Sequence, residues 1–95
     1  MGRKDKYQAN PPSEINELYI RRLTVDEALL KLDRYLDDAF MAGMNQVRVV
    51  HGKGTGTLRL AVRRQLAKHP LVRSYRPGDY GEGGGGVTIV ELASK

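Results

Sequence analysis

The residues with the most chemical content are consecutive: His51-Gly52-Lys53-Gly54-Thr55-Gly56. Three alternating glycines let the backbone turn tightly and leave its amide N–H groups uncovered by side chains. A helix expected from Thr57 onward would add unpaired N–H groups and a partial positive charge, a setting that suits a phosphate. Lys53 contributes a point charge, and Arg59 and Arg63 extend positive potential along one side of that helix. The imidazole of His51 can serve as acid, base or phosphate donor near neutral pH. Taken alone, the glycines equally describe a tight connector, and the histidine a packing or capping residue.

Two nucleotide-binding motifs fail on spacing. A Walker loop needs G-x-x-x-x-G-K-[ST], and no Gly-Lys pair here follows such a spacing. The dinucleotide fingerprint G-x-G-x-x-G meets Thr57 where its third glycine belongs, and the chain has no second βαβ half. What remains is an anion cradle with a histidine at the end of a strand.

The elements that must hold this cradle are legible from periodicity. Residues 14–20 alternate partly and should form a first strand, followed at once by Arg21 and Arg22. Thr24 with Glu27 three residues later is a capping box, so a helix begins there. At 100° per residue, Val25, Ala28, Leu29, Leu32, Tyr35, Leu36, Ala39 and Phe40 fall within an arc of roughly 140°. Gly43 sits where that helix should stop. The β-branched run 46–50 is a buried strand ending at His51. A second helix spans 57–69 and is stopped by Pro70, with Ala61, Leu58, Val62 and Leu66 as its core stripe. Arg64 and Lys68 on its other border read as a solvated face, and His69 as a helix-end residue near the negative dipole. Residues 71–76 make a third strand and 87–92 a fourth. Between them, residues 79–86 hold five glycines and read as a loop too flexible for regular structure. The order β-α-β-α-β-β predicts an α/β fold, a two-layer sandwich with both helices on one face of a four-stranded sheet.

Bulk properties narrow the partners. Sixteen Lys and Arg against eleven acids give a net charge of +5, which favours an anionic partner, nucleic acid before membrane. The absence of cysteine removes disulfides, thiolate metal sites and a cysteine nucleophile, and fits a reducing cytosol. Apolar runs of only a few residues leave no membrane-spanning segment. Residues 1–14, polar and containing Pro11-Pro12, read as a flexible linker or tag remnant, with the folded domain at 15–93.

Three motifs in register then carry a family resemblance. They are Leu23-Thr24-Val25-x-Glu27-Ala28, the segment His51-Gly52-Lys53-Gly54-Thr55-Gly56-x-Leu58-Arg59, and Gly81-Glu82-Gly83-Gly84-x-Gly86-Val87-Thr88. From Glu17 to Leu92 the chain resembles an Smr (small MutS-related) domain, most like those ending bacterial MutS-like anti-recombination proteins. The resemblance implies a fold like the C-terminal domain of translation initiation factor three. It also implies binding to DNA or RNA and, as in several relatives, endonuclease nicking, often with a divalent metal such as Mg or Mn. On that basis His51 and Arg21 are the expected catalytic residues. Gly52, Lys53, Gly54, Thr55, Gly56, Arg59, Arg63 and Arg22 are the expected nucleic-acid contacts. No dedicated metal ligands are visible. One departure bears on cutting: the family's first motif, Leu-Asp-x-His or Leu-Asp-x-Arg and commonly then Gly, reads here Leu18-Tyr19-Ile20-Arg21-Arg22. A tyrosine of pKa about 10 is a poor base at neutral pH, so either another carboxylate such as Glu82 substitutes or catalysis is weak, and the change favours binding over cutting.

Two functions follow as expectations. One is a low-specificity DNA endonuclease serving repair or the suppression of recombination, as the C-terminal part of a MutS-like ATPase in the bacterial cytosol or nucleoid. The other is a non-catalytic module for branched DNA or structured RNA, with stalled ribosomes as a further setting. A phosphate enzyme acting on small molecules ranks last. Tyr19 and Tyr80 could each stack on a base or simply lie on the surface.

Overall fold

The computed structural model describes residues 16–94, so the linker reading of residues 1–14 lies outside the described residues. The elements run β1 (Glu17–Tyr19), α1 (Val25–Met41), β2 (Gln46–Val50), α2 (Thr57–Lys68), β3 (Val72–Pro77) and β4 (Val87–Leu92). The four strands form one sheet in the order β1-β2-β4-β3, with β1 parallel to β2 and the other pairs antiparallel. The expected architecture is the one found.

Side-chain alternation assigns the two faces of the sheet. Val47 lies opposite Val90 and Val49 opposite Thr88, and these residues point toward the helices. Ala28, Leu32, Leu36 and Ala39 of α1, with Val62 and Leu66 of α2, meet Val47, Val49, Val90 and Leu92 in one core cluster. Both helices therefore cover the same face. Truncating a fully buried member such as Leu32 to Ala costs about 2–5 kcal/mol. The opposite face carries Glu17, Tyr19, Arg48, Val50, Val87, Ile89 and Arg76 in cross-strand register.

Helix α1 starts and stops as its sequence dictates. Thr24 Oγ1 accepts from the Glu27 amide at 3.2 Å, and Glu27 Oε1 accepts from the Thr24 amide at 3.1 Å. At its end the Gly43 amide donates to Phe40 O and the Met44 amide to Ala39 O, each at 3.0 Å, which closes the orphan carbonyls of the last turn.

Two expectations need correction. The first strand is shorter among the described residues, three residues long, because the chain turns at Ile20: the Leu23 amide returns to Ile20 O at 3.3 Å. The glycine-rich stretch 79–86 is not irregular. It forms two 3-10 turns, Tyr80–Glu82 and Gly84–Gly86. The ordering comes from Glu82, whose carboxylate receives both Arg76 guanidinium nitrogens at 2.8 and 3.0 Å and the Asp79 amide at 2.8 Å. A charge-assisted bidentate bond anchored on β3 offsets the backbone entropy of five glycines.

Candidate nucleic-acid interface

Strands β1 and β2 are parallel, so their carboxyl ends open on the same edge of the sheet, the usual ligand position of α/β folds. After β1 comes Arg21-Arg22, and after β2 the glycine loop. Arg21, Arg22, Lys53, Thr55, Leu58 and Arg59 line a cleft of about 250 Å³ whose floor is the loop backbone from His51 to Gly56.

Two glycines in this loop are favoured by their left-handed conformation, and each leaves room for an arginine side chain. Gly52 has φ +83°, and a Cβ there would meet Arg21 Nε at 3.1 Å and its Cγ at 3.3 Å. Gly56 has φ +89°, and a Cβ there would meet Arg59 Nη2 at 2.9 Å. The absent side chains let one guanidinium lie on each end of the loop. Helix α2 then begins at Thr57 with Gly56 as N-cap and no side-chain cap. The Thr57 amide donates to Thr55 Oγ1 at 3.3 Å, and the next two amides, at Leu58 and Arg59, precede the first intrahelical bond, from Leu60 to Gly56 O.

Among the described residues no acidic side chain pairs with Arg21, Arg22, Lys53 or Arg59. Elsewhere on the same surface, Arg48 holds Glu17 at 3.3 Å and Arg76 holds Glu82 at 2.8 Å. The cleft is thus a concentration of uncompensated positive charge around a helix N-terminus.

His51 lines the inner wall of this opening but is almost wholly buried. It is 4% exposed, on the helix side of the sheet with Val47 and Val49. Its Nδ1 lies 2.8 Å from the Gly52 carbonyl, which can only accept, so Nδ1 carries the proton. Its Nε2 then takes the Thr88 hydroxyl proton at 2.9 Å. Thr88 is fully buried and also accepts from Arg63 Nε at 3.3 Å. Burial lowers the His51 pKa below 6.5, and the charges of Arg63 and Arg59 push the same way against the Gly52 hydrogen bond. The ring is neutral at neutral pH.

The expected residues therefore fall into two groups. Gly52, Lys53, Gly54, Thr55, Gly56, Arg59, Arg21 and Arg22 come together at the cleft. His51 lies at its inner wall and is joined through Thr88 to Arg63, which does not line the cleft, a link the sequence reading did not draw. Thr88 shares the core face with Val90 and Leu92, so alternation along β4 was the signal available. Glu82 is engaged by Arg76, which holds its pKa down at about 2 and leaves it a poor base. Tyr80 is fully exposed and does not line this cleft. Arg22 has φ +69°, the one non-glycine residue with positive φ among the described residues. It occupies the third position of the turn from Ile20 to Leu23, where glycine is the favoured residue.

A resident metal does not fit the side chains present. Among the described residues no group of three or more His, Cys, Asp or Glu could hold an ion, and the carboxylates nearest the cleft, Glu17 and Glu82, each grip an arginine.

Comparison with known proteins decides the family. The family model described as Smr domain matches residues 18–93. The chain belongs to the Smr family. The Smr domain of MutS2 from Thermus thermophilus superposes with a TM-score of 0.80 at 46% identity, covering 82% of this chain and 98% of that one. YdaL, a stand-alone small MutS-related protein from Escherichia coli, gives a TM-score of 0.78 at 27% identity over 96% of this chain and 74% of its own. Among curated relatives, the protein named Endonuclease MutS2 of Pelotomaculum thermopropionicum is 56% identical over 85 residues, 88% of this chain. Its namesake in Clostridium beijerinckii is 51% identical over 90 residues. This Smr domain spans only 11% and 12% of the length of those two relatives.

Proposed function

We propose that the cleft binds DNA through its phosphate backbone, and that the domain nicks duplex DNA with little sequence preference. Its setting would be the C-terminal part of a MutS-like chain in the bacterial cytosol, in repair or in limiting recombination. The observation that carries the binding is the set of four cations with no acidic partner among the described residues, around a glycine loop and a helix N-terminus. Backbone contacts of this kind bind without reading sequence. The endonuclease name shared by relatives 46–59% identical supports the cutting.

In this reading the Leu58 and Arg59 amides, with the side chains of Lys53, Arg21 and Arg59, hold the scissile phosphate and stabilise the charge that grows on it as water attacks phosphorus. Arg22 and Thr55 extend the grip at the rim. Once the Thr88 hydroxyl turns away from it, His51 Nε2 takes the proton of the attacking water, and a proton returns to the sugar oxygen released as its bond to phosphorus breaks. A divalent ion such as Mg or Mn would be carried on the substrate phosphates, with water completing its shell.

A second reading, a non-catalytic module for branched DNA or structured RNA, is favoured by two observations: both His51 nitrogens are engaged, and Tyr19 stands where the family's first motif has a carboxylate. Supercoiled plasmid distinguishes the two. Incubated with the chain and Mg, it should convert to the open circle, and a chelator or His51→Ala should each stop the conversion. If both proteins bind DNA yet leave the plasmid closed, the module reading stands and the nuclease reading falls.

A further inference from the structure

A second cleft, of about 510 Å³, adjoins the first and shares Arg21, Gly52, Lys53 and Gly54 with it. It opens on the sheet face that the helices leave bare. Its floor is apolar: Tyr19 lies opposite Val50, and Val50 opposite Val87, so three residues form a row across β1, β2 and β4. Tyr19 is 61% exposed, although large apolar residues elsewhere on the sheet are covered. Gly54, Gly81, Gly83 and Gly86 line the cleft without filling it. Its acids are spent, Glu17 on Arg48 and Glu82 on Arg76, whereas Arg21 and Lys53 have no acidic partner among the described residues.

An apolar floor with an exposed aromatic ring, rimmed by two free cations and continuous with a phosphate cradle, matches one chemistry. That chemistry is a flat base with a phosphate on either side. A base inside a duplex has both faces covered by its neighbours and cannot offer one to the tyrosine. We propose that this second cleft takes an unpaired nucleotide, its base stacked on Tyr19 and its phosphate held by Arg21 and Lys53. The inference rests on the backbone-binding role of the first cleft and adds a substrate class to it. The domain favours DNA in which duplex passes into single strand, and the unpaired end crosses the open face of the sheet.

The test is an affinity ratio. A blunt duplex and the same duplex with a four-nucleotide single-stranded extension are titrated against the 95-residue chain and against its Tyr19→Ala and Tyr19→Phe variants. Stacking on one aromatic ring contributes about 1–3 kcal/mol by alanine substitution, so the extension should improve affinity by roughly tenfold. Tyr19→Ala should bring the ratio close to one, and Tyr19→Phe should preserve it. A 2-aminopurine placed in the extension should be quenched by the wild type and not by Tyr19→Ala. A ratio of one in the wild type, or an equal loss in the Phe and Ala variants, overturns the proposal. So does displacement of the extended duplex by a free mononucleotide at matching concentration, which would make the cleft a small-molecule site. Failure of every DNA to bind would instead remove the reading of the first cleft.

Discussion

The larger groove in this molecule and the smaller cleft have opposite electrostatic character. The groove between α1 and α2 encloses about 690 Å³ and is lined by Asp33, Arg34, Asp37, Gln65, Lys68 and His69. Its charges are of both signs, two acids against two cations and a histidine, and Asp33 is paired with His69. His69 Nε2 lies 3.1 Å from Asp33 Oδ1, Gln65 donates to the same oxygen at 3.4 Å, and His69 Nδ1 accepts from the Leu71 amide at 3.1 Å. The cleft at the strand ends is about 250 Å³, and its side-chain charges are all of one sign. Volume marks where two helices diverge. Charge left without a partner marks where a ligand is expected, because the cost of crowding cations is recovered only when an anion arrives.

The comparison breaks most readily by charge reversal. Arg21→Glu with Arg59→Glu should weaken duplex DNA binding on the order of 100-fold and flatten its salt dependence. The matched pair in the groove, Arg34→Glu with Lys68→Glu, should change affinity no more than about threefold, the residue of long-range screening. Equal losses from both pairs, measured by fluorescence anisotropy across a salt series, would mean that net charge matters and the cleft does not.

A smaller effect separates the cleft from its support. Thr88→Val keeps the volume but strips the shared partner from His51 Nε2 and Arg63 Nε, which should cost about 1–3 kcal/mol of stability. Chemical denaturation measures it. The same assembly sets a pH dependence. Because the folded pKa of His51 is lowered from 6.5, the unfolded chain takes up that proton first as the solution is acidified. This stability is fully present above pH 6.5 and declines as pH falls through the folded value. His51→Gln should flatten the fall in Tm between pH 7 and pH 5.

The smallest effect concerns the strained turn. A non-glycine residue in the left-handed region carries about 1–2 kcal/mol of strain, part of which Arg22→Gly returns against the greater chain entropy of glycine. The variant should gain about 1 kcal/mol in stability at most, while its salt slope for duplex binding falls by about 0.9, one phosphate contact. Arg22→Ala should lose the contact without the gain in stability. If Arg22→Gly is neither more stable nor weaker in binding, the turn stores nothing for the cleft.

Most of the fold was legible because its signals are local. The capping box at Thr24, the apolar stripe of α1 and the alternation in β2 and β4 each report one element's own surroundings. Residues 79–86 were misread because their order depends on Arg76, which lies on the preceding strand and reaches them only through tertiary contact. The cradle was legible for the same local reason: spacing alone places Lys53 and Arg59 on either side of a helix start. His51 was harder. The alternation Val47, Val49, His51 places its ring on the core face, yet proximity to Lys53 drew attention to chemistry in the cleft. Its partner Thr88 lies 37 residues away, a distance no local pattern spans.

The Gly86 carbonyl accepts the amides of both His51, at 3.1 Å, and Gly52, at 2.9 Å. One oxygen thus ties the loop after β2 to the turn before β4. In exchange terms, these two amides open together or not at all, and only when the glycine turn lifts with them. The unliganded cradle is therefore expected to rest already shaped, so that an arriving phosphate meets a formed surface and little ordering entropy is lost on contact.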